Sequence, residues 1–168
     1  MMRVFDFVFV AVGLTALITL PFLIVAWSNY LGNLPQNRIF PIRSVAFFVG
    51  SIVLAGCMAS ISKSLAQGSV LDALDVCSPS NSTVLINGRE VPNRAEVFSA
   101  LKELRGRSPH HSSPTKAFTV EVRGPSHIIL RVARDSGDRH EYWVFLPNYW
   151  ITRYNEIGRL ITPIFDAY

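Results

Sequence analysis

The chain has 168 residues, 49% of them hydrophobic and 17% charged, with a formal net charge of +4 and a pI near 9.4. Residues 1–63 hold four basic side chains (Arg3, Arg38, Arg43, Lys63) against Asp6 alone, whereas residues 64–168 hold twelve basic and eleven acidic ones. A nearly balanced second part without a basic run argues against nucleic acid as a partner, and two cysteines, Cys57 and Cys77, give no disulfide framework.

Two apolar stretches open the chain. Phe7–Trp27 has no charge over 21 residues, enough at about 1.5 Å per residue to cross a hydrocarbon core of about 30 Å. Ser44–Ile61, at 18 residues, meets the lower limit for a span. Trp27 and Tyr30 close the first stretch where an interfacial aromatic belt is expected. Pro21, which lacks an amide hydrogen, is expected to kink that helix. Gly32–Arg43, with two prolines and two arginines, reads as a short connecting loop. The second stretch carries small residues at four-residue spacing, Ala46 with Gly50 and Ser51 with Ala55 and Ala59. Such stripes let helix backbones approach closely in lipid. The first span is one expected partner for them, and another membrane protein is the second.

Two spans place both ends of the chain on one side. Arg3, Lys63 and the α-amine stand there against Arg38 and Arg43 in the loop, a small excess that favours a cytoplasmic soluble domain in a bacterial inner membrane. Leu54-Ala55-Gly56-Cys57 has the small-residue pattern of a lipidation signal. Signals of that kind lie at an N-terminus rather than after a complete span, so Cys57 is expected to stay unmodified.

Ser64–Ser82 reads as a connector, in which Val70, Leu71, Leu74 and Val76 suit a short amphipathic helix at the membrane surface. Val84–Val91 predicts a tight hairpin, because Asn87-Gly88 supplies the two positive φ angles of a type I′ turn. A helix follows, with Asn93 as N-cap, Glu96 three residues on and Gly106 beyond its end. Its Val97, Phe98, Leu101 and Leu104 share one face. Phe118–Arg123 alternates apolar and polar residues, Ile128–Arg134 is rich in β-formers, and His140–Leu146 is apolar and aromatic. Strands so close in sequence pair antiparallel. Pro147, Gly158 and Pro163 predict a mostly irregular tail with a short strand near Arg159–Thr162.

The adjacent His110 and His111 lack the four-ligand spacing of structural zinc. Asp135, Asp138 and His140 surround a turn, where aspartate is common for its local hydrogen bonds. No nucleophile elbow, P-loop or dinucleotide fingerprint is present, and no cofactor or metal is expected. The densest feature is aromatic: Tyr142, Trp143, Phe145, Tyr149, Trp150 and Tyr154 fall within 13 residues. In a strand, Tyr142 and Val144 face one way while Trp143 and Phe145 face the other. Burial beneath the tail accounts for such rings, as does a binding patch rich in Tyr, Trp and Arg, or interfacial contact with lipid. The candidate partner-binding residues are therefore Trp143, Tyr149, Trp150, Arg153 and Tyr154.

These readings give a two-helix membrane hairpin at 1–63, a connector at 64–82, and a small α+β domain at 83–168 with one helix packed on an antiparallel sheet. The function expected is a non-enzymatic, membrane-anchored protein-interaction module, either an accessory subunit or an inhibitor or immunity-type protein. A membrane-anchored enzyme without a local signature and a small-ligand sensor are the alternatives.

Overall fold

The computed structural model describes residues 2–32, 40–106, 111–149 and 155–168, and their side chains other than those of residues 2–9 and 16. The chain divides into two compact units, Met1–Ser62 and Lys63–Tyr168. The first holds helix α1 (Met2–Gly32), with Pro21 inside it, and most of helix α2 (Ile42–Asp75). Both helices are long and apolar enough to cross a membrane. Their large side chains point outward, with Leu17, Phe22 and Ile42 each about two-thirds exposed. Trp27, Tyr30 and Phe40 meet in a ring cluster, with centroids 5.6–5.9 Å apart, where α1 ends and α2 begins. Ser51, Ala55 and Ala59 lie on the less exposed side of α2, whereas Ala46 and Gly50 are exposed.

α2 is longer than the apolar stretch at its start. It runs for 34 residues to Asp75, about 50 Å at 1.5 Å per residue. The segment read as a connector is therefore helical for most of its length. Ala66, Val70 and Leu74, four residues apart, are almost fully buried. They form one helical stripe, and it belongs to the second unit. Gln67 Nε2 donates to the Leu104 carbonyl at 2.8 Å, Asp75 pairs with Lys102 at 2.9 Å, and Cys77 Sγ reaches the Ser126 carbonyl at 3.6 Å. Val70 and Leu74 thus face protein rather than a membrane surface, and Val76 is left exposed.

The second unit is a six-stranded antiparallel sheet with helix α3 (Arg94–Lys102). The strands are β1 (Thr83–Ile86), β2 (Arg89–Glu90), β3 (Pro114–Arg123), β4 (His127–Asp135), β5 (Glu141–Phe145) and β6 (Glu156–Ile161), in spatial order β2-β1-β3-β4-β5-β6. Asn87 (φ 51°) and Gly88 (φ 79°) make the expected turn between β1 and β2. The turn is also fastened to β3, since Asn87 exchanges two hydrogen bonds with the Thr119 backbone, one of them through its side chain. Asn93 stands at the N-cap of α3 but makes no side-chain cap bond; its amide donates to Glu96 at 3.4 Å. The helix ends at Glu103, ahead of Gly106.

Register assigns the two faces. Val84, Ile86, Phe118, Val120, Val122, Ile128, Leu130, Val132, Tyr142, Val144 and Leu160 share one face, and all are buried. Val97, Phe98, Leu101 and Leu104, in and just after α3, are buried as well. A Cβ added at Gly158 would stand 2.9 Å from both the Arg105 carbonyl and Leu104 Cδ1, so this glycine allows the chain after α3 to close on β6. Arg105 and Arg159 exchange backbone hydrogen bonds there at 3.2 and 2.8 Å.

Candidate functional site

The other face of the sheet carries Trp143 and Phe145. Their rings stack with centroids 6.4 Å apart and planes 9° from parallel. With Ala133 they form a small buried cluster separate from the main core. Cross-strand register sets their neighbours. Arg159 on β6 lies opposite Trp143, and its guanidinium carbon sits 3.7 Å from the indole centroid. Arg131 on β4 lies opposite Phe145, 5.9 Å from that ring. Each arginine therefore presents its charge to an aromatic face.

Among the described residues, several charges on this face pair with one another. Arg159 donates to Glu141 Oε1 at 3.1 Å, both side chains being 3% exposed, and its Nε lies 3.6 Å from Glu156 Oε1. Lys63, beyond the first unit on α2, pairs with the same Glu156 oxygen at 3.3 Å. At the far end of β4, Asp135 accepts from the Ser112 hydroxyl, from the Trp143 indole at 2.7 Å, and from the backbone N–H groups of Gly137 (2.6 Å) and Asp138 (3.1 Å). Burial works against its charge. The donors outweigh it, led by Ser112 and followed by Gly137, Trp143 and Asp138, and bring the carboxyl down to about 2.

The sequence-derived patch is thus divided. Trp143 is buried between Arg159 and Asp135, and Tyr149 is fully buried, its N–H donating to the Leu146 carbonyl at 2.9 Å. Trp150, Arg153 and Tyr154 lie outside the described residues. Glu141 and Arg159 organise the region with Asp135 but belong to no local sequence pattern, because their contacts depend on strand register. Asp135 drew notice only as a turn residue, and the turn bonds it was expected to make are present.

The remaining sequence candidates are placed as follows. His111 is exposed and His110 lies outside the described residues. Among the described residues no group of three or more His, Cys, Asp or Glu is placed to hold a metal ion. Asp138 accepts from the His140 N–H at 2.9 Å, while the His140 ring reaches Asp166 instead.

One cleft, of about 290 Å³, is lined by Ser69, Val70 and Ala73 of α2, by His127, Ile128 and Ile129 of β4, and by Leu146–Asn148. His127 Nε2 is 2.8 Å from Glu121 Oε1, and Arg123 holds both oxygens of that carboxylate at 2.7 and 3.0 Å. Arg123 first, then His127, keeps the Glu121 carboxyl below the usual range. Comparison with known proteins finds no matching family model, no matching curated protein and no matching solved structure.

Proposed function

We propose that the chain is a membrane-anchored protein-interaction module, an accessory subunit or an inhibitor or immunity-type protein of a bacterial inner membrane, with its sheet domain in the cytoplasm. The observation that carries the membrane part is the outward apolar surface of α1 and α2, where Leu17, Ile18, Phe22, Ile24, Val25, Ile42, Phe47 and Val53 are all more than half exposed. Water does not cover such a surface at tolerable cost, and lipid or another apolar helix does. Fusion reporters at Gly32 and after Tyr168 should give opposite signals; equal signals would remove the hairpin.

Partner contact is assigned to two places. One is the segment containing Trp150, Arg153 and Tyr154, which follows Tyr149 in sequence. The other is the exposed Ala46–Gly50 stripe of α2. Tyr, Trp and Arg together have the composition of a binding hot spot, where truncation costs about 2 kcal/mol or more. The test is capture from mild detergent with the full chain as bait, comparing wild type with Trp150→Ala and Gly50→Leu. Selective loss of one protein from either variant, with the sheet domain still folded, supports the assignment. Identical capture by all three baits sinks it.

The cleft at Ser69, His127 and Asn148 favours one alternative, a sensor of a small ligand, because these polar residues line it together with the apolar Val70, Ile128 and Leu146. A metabolite screen read by thermal shift distinguishes the two. Stabilisation that His127→Ala abolishes would move the function to the cleft.

A further inference from the structure

The two-helix unit holds a cation that its own sequence does not neutralise. From Phe7 to Leu71 the chain contains no Asp or Glu. Asp6, just before that stretch, is 13 residues ahead of Thr19 on α1, about 20 Å at 1.5 Å per residue. Arg43, near the start of α2, is exposed and makes no ion pair among the described residues. It lines a groove of about 270 Å³ together with Thr19 and Phe22 of α1 and Ser44 and Phe47 of α2. Phe22 and Phe47 are 69% and 56% exposed. The ring cluster of Trp27, Tyr30 and Phe40 has the composition of an interfacial aromatic belt. Arg43 follows Phe40 by three residues, and Phe22 precedes Trp27 by five, so their groove stands on the apolar side of that belt.

We propose that this groove binds an anionic glycerophospholipid, with Arg43 holding the phosphate and Phe22 and Phe47 flanking an acyl chain. The inference rests on the membrane hairpin proposed above. A guanidinium at lipid depth without a counter-ion is costly, and its long apolar stem lets the charge reach the headgroup level. Phosphate is the anion that every phospholipid bilayer supplies at that level, and its two free oxygens match the guanidinium fork. The hydroxyl of Ser44, on the same groove, is a further donor to a phosphate oxygen. Headgroup charge decides which lipid is preferred. The stretch from Trp27 to Ser44 carries Arg38 and Arg43 and no acid, so phosphatidylglycerol, with a net negative headgroup, gains more there than phosphatidylcholine, whose choline brings a cation of its own.

The experiment is native mass spectrometry of the full chain released from mild detergent micelles, titrated with phosphatidylglycerol or phosphatidylcholine of the same acyl chains. The wild type should bind its first phosphatidylglycerol about three- to ten-fold more tightly than phosphatidylcholine, as one basic residue at a lipid surface predicts. Arg43→Gln should remove that preference and Arg43→Lys should keep part of it. Arg38→Gln should leave most of it in place, and Phe47→Ala should weaken both lipids alike. Glycerol phosphate, which has no acyl chain for the two rings to flank, should not compete. Equal binding of the two lipids by the wild type overturns the proposal and leaves Arg43 to a carboxylate of another protein. An unchanged preference in Arg43→Gln overturns it as well, and so does an equal loss in Arg38→Gln, the mark of diffuse attraction. Competition by glycerol phosphate at the lipid's own concentration would make the groove a site for free phosphate instead. Release of the wild-type chain from membranes by alkaline carbonate would strike down the hairpin and the lipid site together, whereas loss of the lipid preference in a chain that resists carbonate strikes down the site alone.

Discussion

Arg159→Met is the sharpest test of how the second sheet face is held. The guanidinium is 3.1 Å from Glu141, with both side chains 3% exposed, and lies 3.7 Å from the Trp143 ring centre. At an effective dielectric of about 20 the pair attracts by about 5 kcal/mol before desolvation is counted. Desolvation cancels much of that gain, so the pair adds little net stability over an apolar replacement. Breaking it is different, because Glu141 stays buried without the cation it faces. Arg159→Met should therefore cost about 3–5 kcal/mol, and Glu141→Leu with Arg159→Met should recover most of the loss. Glu141→Gln should cost less, about 1–3 kcal/mol, because Arg159 keeps Glu156 nearby. The assay is urea unfolding of the full chain in micelles, followed by thiol labelling of the buried Cys77 in a Cys57→Ser background. With a slope of about 1.5 kcal/mol per molar, Arg159→Met should lower the midpoint by about 2–3 M. A shift below about 0.5 M, or a double variant no better than the single one, would refute the reasoning.

Leu101→Ala, at a side chain 2% exposed on α3, should cost about 2–5 kcal/mol in the same titration, against less than about 0.5 for a surface site. Asp135, with its carboxyl at about 2 when folded and near 3.9 unfolded, contributes about 2–3 kcal/mol that is fully present above about pH 5. Its depressed folded value means that this contribution is lost as pH falls through 4 towards 2. The stability gap between wild type and Asp135→Asn should therefore narrow by about that amount between pH 6 and pH 2, as read by near-ultraviolet circular dichroism in urea. Gly158→Ala should destabilise by about 1–3 kcal/mol, since the added Cβ meets a backbone oxygen at 2.9 Å. Gly68→Ala, in α2 with open space around it, should stabilise by up to about 1 kcal/mol.

Much of the sheet domain was legible because local chemistry and tertiary packing agree there. Asn87-Gly88 demanded a type I′ turn, and Phe118, Val120 and Val122 alternated onto one face, as the register shows. Strand parity also separated Tyr142 and Val144 from Trp143 and Phe145 correctly. The length of α2 was missed because apolarity, used to bound the span, ends near Ile61. The helix continues through Lys63, Ser64 and Gln67, where polar residues alternate with the Ala66, Val70 and Leu74 stripe. The amphipathic helix expected around Val70 and Leu74 is the end of α2 rather than a separate element. β6 was anticipated only from Arg159 onward, because Gly158 reads as a breaker until its close approach to Leu104 and Arg105 is known.

The aromatic region shows why the partner question is harder than the fold. A small sheet has two faces, and helix α3 with the rings of Phe165 and Tyr168 packs on one of them. The excess of rings on β5 and after it implied that something must cover the other. Composition could not distinguish a partner from the chain itself, because Trp and Arg serve both purposes. For Trp143 the chain itself supplies contacts: the Arg159 guanidinium, sixteen residues later, stands over its ring, and Asp135, eight residues earlier, takes its indole N–H. Each is an ordinary polar residue in sequence and becomes a specific partner only when antiparallel pairing sets it opposite. Trp143 therefore has its ring and its N–H engaged inside the domain, and Tyr149 is fully buried. On the proposed reading, partner contact is then assigned to residues other than these two. This shifts the weight of the proposal from the strand to Trp150, Arg153 and Tyr154 after it, and to the outward Ala46–Gly50 side of α2.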